Sequence, residues 1–473
     1  MLDFSDFHSC EKALRFFEEF SKIPRGSGNT SAIADYLVAF ANARGLEVIR
    51  DKADNVIVKK PATQGYEGHP GIIFQGHTDI VALKESGCTI NMDKEGLLLY
   101  RDGDFLRAKG TTLGADDGVA MAYALAILDS NDIEHPEFEA VFTSDEEIGL
   151  LGATALDASV LKGRMLINID SDEEGIFTAG CAGGARVDIS LKNSAKTHIG
   201  QIYTLNISGF KGGHSGVEID KNRTNVIKLT AEILSKLEDV RIGRCEGGSA
   251  DNAIPSDIIL MFTTASDILE ISEVINEVKE SLPDSDNDGN FKIDMNLTSS
   301  KMMSVQDSKN LISLICEMPN GVTRMSEDIE GLVETSLNMG IIHVNNGNVD
   351  LTVSVRSAKA EEKSKLLAKI KEISASHHAS VSVRGEYPAW EYRKESHLRD
   401  VMCRVYKEMY GVDATVVTIH AGLECGIFSD KMDGLDCISL GPDNKDIHTP
   451  EERLSLTSFS RVYDYLINVL KNM

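Results

Sequence analysis

The sequence predicts a layered α/β domain interrupted by a second, α+β domain. Three observations lead there. Short apolar strands alternate with helical stretches towards both ends of the chain, and the pattern changes between about Arg186 and Trp390. The segment Lys109-Gly110-Thr111-Thr112-Leu113-Gly114-Ala115-Asp116-Asp117-Gly118 runs straight into the apolar stretch Val119 to Leu128. At 473 residues, 42% of them hydrophobic, the chain is long for one domain and rich enough for a sizeable core, so two domains are the default. The predicted division is a discontinuous domain of residues 1–185 and 391–473, with 186–390 inserted.

Taken in order, Cys10 to Phe20 and Ser31 to Arg44 read as amphipathic helices on either side of the turn-rich Pro24 to Asn29. Val56 to Lys59, Gly71 to Gln75, Glu139 to Thr143, Met165 to Ile169 and Cys437 to Leu440 are rich in β-formers. Val119 to Leu128 has no proline and no β-branched run, which makes it a helix. In the insert, strands at Tyr203–Ser208 and Ile258–Thr263 accompany helices at Asn225–Leu237 and Leu269–Ser281. Strands at Phe291–Leu297, Glu334–Met339, Leu351–Val355 and Ala379–Val383 then accompany helices at Asp307–Cys316 and Glu361–Ala375. This reads as two β-α-β-β-α-β units in tandem. A helix at Glu395 to Tyr410 resumes the α/β pattern.

Composition excludes several function classes. With 48 basic and 74 acidic residues the formal charge is −26, which repels nucleic acid and anionic membranes. Neither a signal-peptide block nor a membrane span is legible, so a cytoplasmic protein is expected. Eight scattered cysteines without a C-x-x-C give no thiolate metal site and no disulfide framework. Asp284 to Gly289 matches the opening of a calcium loop, but Met295 stands where the bidentate carboxylate belongs and Lys292 where another ligand would; a solvated turn is expected.

The residues that carry chemistry lie at strand ends. Gly71 to Gly76 ends in His77-Thr78-Asp79; alternate residues of an extended chain point the same way, so Asp79 can orient the imidazole of His77 as in a metal site. Val141 to Ser144 ends in Asp145-Glu146-Glu147, where like charges repel unless a cation or a raised pKa relieves them. Met165 to Ile169 ends in Asp170, and Ile438 to Leu440 leads on to His448. Each alone reads equally as a surface turn or a structural histidine, and the Asp116-Asp117 pair as a helix cap. Together they put two imidazoles and several carboxylates beyond the carboxyl ends of apolar strands, where open α/β sheets bind ligands. Such donors suit two divalent metals, zinc before magnesium because of the histidines, with Co²⁺ or Mn²⁺ as alternatives, and Asp116 has the type and setting to bridge them.

With Gly110 to Gly118, His214, Asn252-Ala253-Ile254-Pro255, His420-Ala421-Gly422-Leu423-Glu424-Cys425 and His448-Thr449-Pro450 added, the set resembles the co-catalytic zinc exopeptidases over essentially the whole chain. The resemblance implies a layered zinc-exopeptidase domain with an inserted α+β lid of doubled β-α-β-β-α-β design. It implies His77 and Asp170 on one metal, Glu147 and His448 on the other, Asp116 between them, Asp79 orienting His77, and Glu146 as general base. It also implies a cis peptide between Asp116 and Asp117. From the lid, His214 would polarise the scissile carbonyl, with Asn252, Arg356 and Gly422 binding substrate. An aspartate at position 170 is, in such relatives, the choice of aminopeptidases and dipeptidases. The implied activity is therefore hydrolysis of unblocked dipeptides, Xaa-His among them. Hydrolysis of another amide, such as an N-acylated amino acid, is the alternative with the same site; a non-catalytic metal-binding protein is the alternative of another class. Many relatives with a single-unit lid borrow its histidine from a dimer partner, which leaves open a homodimer here and whether His214 acts in its own subunit.

Overall fold

The computed structural model describes residues 2–283, 286, 289–327, 329 and 331–473. It divides into two compact units. One comprises Met1–Cys181, Tyr392–Thr418 and Leu423–Met473; the other comprises Ala182–Glu391 and Ile419–Gly422. The segment Ile419–Gly422, assigned from sequence to the first domain, thus packs with the insert: the Ala182 N–H donates to the Ile419 carbonyl at 3.1 Å.

The first unit is organised around an eight-stranded sheet in the order Glu47–Arg50, Val56–Lys60, Phe138–Thr143, Ile72–His77, Met165–Asn168, Asp436–Ser439, Ile176–Cys181, Thr415–Ile419. The four strands from Phe138–Thr143 to Asp436–Ser439 are mutually parallel, and antiparallel pairs flank them. Every residue of those four strands is buried, which is why they read as continuous apolar runs without alternation. Being parallel neighbours, they turn their carboxyl ends to one edge.

The helix Ala115–Asp129 is apolar on all sides and buried through nearly its whole length, as a helix enclosed by other elements must be. It packs against the helix Glu11–Phe20 and the strand Ile72–His77. Its opening is irregular: Asp116 and Asp117 have non-helical dihedrals and the peptide between them is cis, as the resemblance implied.

The second unit holds one nine-stranded sheet with the path Asn290–Met303, Ala195–Ser208, Ile258–Thr263, Arg241–Gly247, Val333–Asn345, Asn348–Ser357, Gly183–Lys192, Ser380–Tyr387, and Gly321–Met325 beside Val333–Asn345. Two β-α-β-β-α-β units are present, but they are nested and not in tandem. Asn290–Met303, read from sequence as opening the second unit, closes the first. Gly183–Lys192 opens the second, and the first is threaded between it and the helix Val305–Glu317. The join, Arg241–Gly247 against Val333–Asn345, was missed because a register shift between Ile242 and Arg244 hides the alternation. Alternate residues such as Val349, Leu351, Val353 and Val355 build this unit's own core with its helices. Asp284, Ser285, Asn287 and Asp288, on which the solvated-turn expectation rests, lie outside the described residues.

Candidate active site

The four parallel strands deliver their polar residues to one place. His77 is the last residue of Ile72–His77, and its Nε2 lies 2.9 Å from Asp116 Oδ1 and 3.7 Å from Asp170 Oδ1. The other oxygen of Asp116 lies 3.1 Å from His448 Nε2, which is also 3.0 Å from Glu147 Oε1. Asp116 therefore divides its carboxylate between the two histidines. The donor atoms of His77, Asp116 and Asp170 lie within 4.8 Å of one another, as do those of Asp116, Glu147 and His448, and of His77, Glu146 and Glu147. Two of these sets share only Asp116. Imidazole and carboxylate donors so close together, without thiolates, fit two divalent cations with one shared carboxylate.

The electrostatics point the same way. Burial works to lower the His77 imidazole, but Asp116, Asp170 and Asp79 outweigh it and hold it well above its ordinary value. His448 is raised to about 10 by hydrogen bonds to Asp116 and Glu147. Burial raises Asp170 to about 6 and lifts Glu146 well above the usual carboxylate range, with Asp170, Glu424 and Glu147 adding to the effect on Glu146. Against burial, hydrogen bonds from His448 and His77 hold Asp116 well below the usual carboxylate range, while Asp170 and Glu146 are raised, so the cluster has more carboxylates than its two imidazoles can neutralise.

Supporting groups fix the turns that carry these donors. Asp79 is fully buried; its Oδ1 lies 3.4 Å from His77 Nδ1, while its own backbone carbonyl is nearer that nitrogen at 3.0 Å. The same carboxylate accepts the N–H groups of Glu146 at 3.0 Å and Glu147 at 3.2 Å, so Asp79 ties the histidine turn to the glutamate turn. Asp117 accepts the N–H of His77 at 3.2 Å. Position 76 must be glycine, since a Cβ there would fall 2.2 Å from Asp117 Oδ2. Asp145 and His448 hold left-handed backbone, with φ of 52° and 59°, at the two turns that carry Glu146–Glu147 and His448 itself.

Sequence reasoning missed three buried charged residues of this unit. Glu452 accepts the backbone N–H groups of Leu113, Gly114 and Ala115. Arg25 donates to the carbonyls of Thr78 and Gly114. Glu424 accepts from Gln75 and Thr143, and burial pushes its carboxyl up to about 7. Glu452, four residues beyond His448, and Glu424, two beyond Gly422, had neighbours that could have flagged them.

The remaining predicted residues lie in the other unit. His214 stands in the two-residue strand Gly213–His214 paired with Ala253–Ile254, which sets it beside Asn252, whose carbonyl accepts the Ser215 N–H at 2.8 Å. His214 Nδ1 accepts the N–H groups of Gly216 and Val217 at 3.2 and 3.3 Å, which leaves its proton on Nε2. Burial and Arg356 hold this imidazole below its ordinary value. Arg356 Nη1 donates to Tyr387 Oη at 3.2 Å. Gly422 lets the Tyr387 ring come close, since a Cβ there would fall 2.7 Å from the ring. His420, buried, bonds Ser336 Oγ through Nε2 at 2.7 Å, and burial with Arg356 lowers it to about 3.

A sheet edge that gathers two sets of imidazole and carboxylate donors about one shared aspartate defines a metal-dependent hydrolase. More particularly, residues 73–472 match the Peptidase family M20/M25/M40, and the chain belongs to that family. It is 31% identical over 467 residues to the cytosol non-specific dipeptidase of Escherichia coli (strain K12), covering 97% of this chain and 96% of the relative. Among solved structures it is similar to aminoacylhistidine dipeptidase from Vibrio alginolyticus, with a TM-score of 0.90, 32% identity and coverage of 97% and 96%. The aminopeptidase PepT from Bacillus cereus shares the fold, at a TM-score of 0.58, 18% identity and 98% of each chain. Among the described residues no helix is long and apolar enough to cross a membrane.

Proposed function

We propose that this metallopeptidase hydrolyses unblocked dipeptides, Xaa-His dipeptides among them, in the cytoplasm. The observation that carries the reading is the division of the Asp116 carboxylate between His77 and His448. His77 and Asp170 would hold one divalent ion and Glu147 and His448 the other, with Asp116 common to both sets; zinc suits the donors best. Ions bound there supply Lewis acidity and make water a nucleophile at neutral pH.

Glu146 is the general base. Its backbone N–H is tied to Asp79, which fixes the turn that presents the side chain, and its carboxylate takes a proton from the attacking water. As the water oxygen bonds to the peptide carbon and the C–N bond breaks, Glu146 returns that proton to the leaving amine. His214, with its proton on Nε2, donates to the carbonyl oxygen as negative charge develops there. Arg356 takes the free carboxylate of the second residue, steadied by Tyr387, while Asn252 and Gly422 complete the substrate contacts. The dipeptidase names of two relatives that match nearly the whole chain support the substrate class.

Initial rates on a panel of free dipeptides and of N-acylated amino acids test the reading. Free dipeptides, Xaa-His included, are the expected substrates. Faster cleavage of the acylated compounds would make the chain an amidohydrolase on the same site, and an inert protein replete with metal would make it a binding protein.

A further inference from the structure

The helix Ala115–Asp129 begins without a cap of its own. Gly114 precedes it in left-handed backbone with φ of 68° and makes no side-chain capping bond. The N–H groups of a first turn have no partner within the helix and must find one outside it. Here a carboxylate from far along the chain supplies it. Glu452, 2% exposed, takes the N–H groups of Leu113 and Gly114 on Oε2 at 2.7 and 2.8 Å, and those of Ala115 and Asp116 on Oε1 at 2.9 and 3.4 Å. Asn444 Nδ2 adds a fifth donor at 3.2 Å. On the opposite side of the same loop, Arg25 donates to the Gly114 carbonyl at 2.6 Å and to the Thr78 carbonyl at 2.8 Å. The backbone on which Asp116 stands is thus gripped through its N–H groups by an anion and through a carbonyl by a cation.

Glu452 also lies close to His448 in the sequence. It follows His448 by four residues, and its own N–H closes that turn on the Thr449 carbonyl at 3.1 Å. One short turn therefore bears both the imidazole at one end of the Asp116 carboxylate and the carboxylate that fixes the Asp116 backbone. A small shift of either moves the two together.

We propose that Glu452 is the positioning residue for the shared carboxylate: by binding the Leu113–Asp116 backbone it locks Asp116 between His77 and His448 and couples that orientation to the His448 turn. The inference rests on the reading of Asp116 as the ligand common to two ions. Replacing Glu452 by glutamine keeps the shape but sets an NH₂ group against two backbone N–H donors, so about half of the grip is lost and the loop must shift.

The test is cobalt(II) titration of the metal-free, full-length protein, followed by visible absorption and by calorimetry, with kcat and KM measured on the reloaded enzyme. For Glu452→Gln the expected result is at least about tenfold weaker binding of one ion, a changed cobalt spectrum, and kcat down by at least about tenfold with KM nearly unchanged. Two ions bound with unaltered affinity and spectrum, with only a lower melting temperature, would make Glu452 a purely structural cap and overturn the inference. Should Glu452→Gln not fold, Asn444→Ser removes a single donor to Glu452 and is expected to weaken one ion by about two- to tenfold; no change would overturn the inference equally. An unmutated protein that binds fewer than two ions refutes the reading of Asp116 itself, which is a separate result.

Discussion

The two units treat the imidazole in opposite ways. In the first, His77 and His448 are surrounded by Asp79, Asp116, Glu147 and Asp170, and both are held above their ordinary values, His77 despite its burial. In the second, His214 and His420 share their surroundings with Arg356, and both are held below. One unit gathers negative charge and wants a cation; the other keeps its histidines neutral beside a guanidinium and suits oxygen-bearing, anionic groups. The same side chain is drawn into a carboxylate cluster in one unit and kept neutral beside a guanidinium in the other, and sequence spacing by itself does not tell which.

The largest effect should come from removing the charge that the first unit gathers for. Chelation should abolish hydrolysis, added zinc should restore it, and elemental analysis of the active protein should find close to two ions per chain. Active protein essentially free of metal would end the comparison at once. Next in size, Glu146→Gln should lower kcat by at least about a hundredfold while both ions stay bound, because a placed general base contributes roughly two to four orders of magnitude. Asp116→Asn should instead lose metal; the reverse pattern would mean that the two roles have been exchanged.

The second unit is probed by the substrate's own charge. Amidating the free carboxylate of a dipeptide removes a charge-assisted contact and leaves a guanidinium unpaired, a loss of about 3 kcal/mol or about a hundredfold in kcat/KM. In Arg356→Ala most of the gap between free and amidated dipeptides should close, since the group that distinguishes them is gone. Equal cleavage of both by the unmutated protein would leave Arg356 with no part in recognition.

The smallest effect concerns His420, whose imidazole is lowered to about 3 in the folded chain against about 6.5 when unfolded. The unfolded chain takes up a proton that the folded chain refuses, so stability falls as the pH drops below about 6.5. One pH unit further down, the loss is roughly 1.4 kcal/mol. Urea unfolding at pH 7.5 and 5.5 should show it, and His420→Gln should reduce it. An identical acid slope in the variant would place the titration elsewhere.

What the chain reveals on its own follows from local rules. The buried parallel strands announce themselves as apolar runs, the helix Ala115–Asp129 as the proline-free apolar run Val119 to Leu128, and the polar residues at strand ends follow from where each run stops. His77, Asp116, Glu146, Glu147, Asp170 and His448 were legible because each sits within about ten residues of such an end. The nested order of the insert was not legible, since strand partners are chosen by sheet pairing across long stretches of chain, and a bulge erased the one local clue in Arg241–Gly247. Nor were Arg25, Glu424 and Glu452, which lie in no periodic pattern. Their partners are backbone groups and buried polar side chains brought to them by the fold, and Glu452 meets Leu113 across 339 positions of sequence. Local chemistry determines which residues can serve as ligands and bases; only the folded chain decides which carboxylates gather about His77 and His448 and which hold up the loops that carry them.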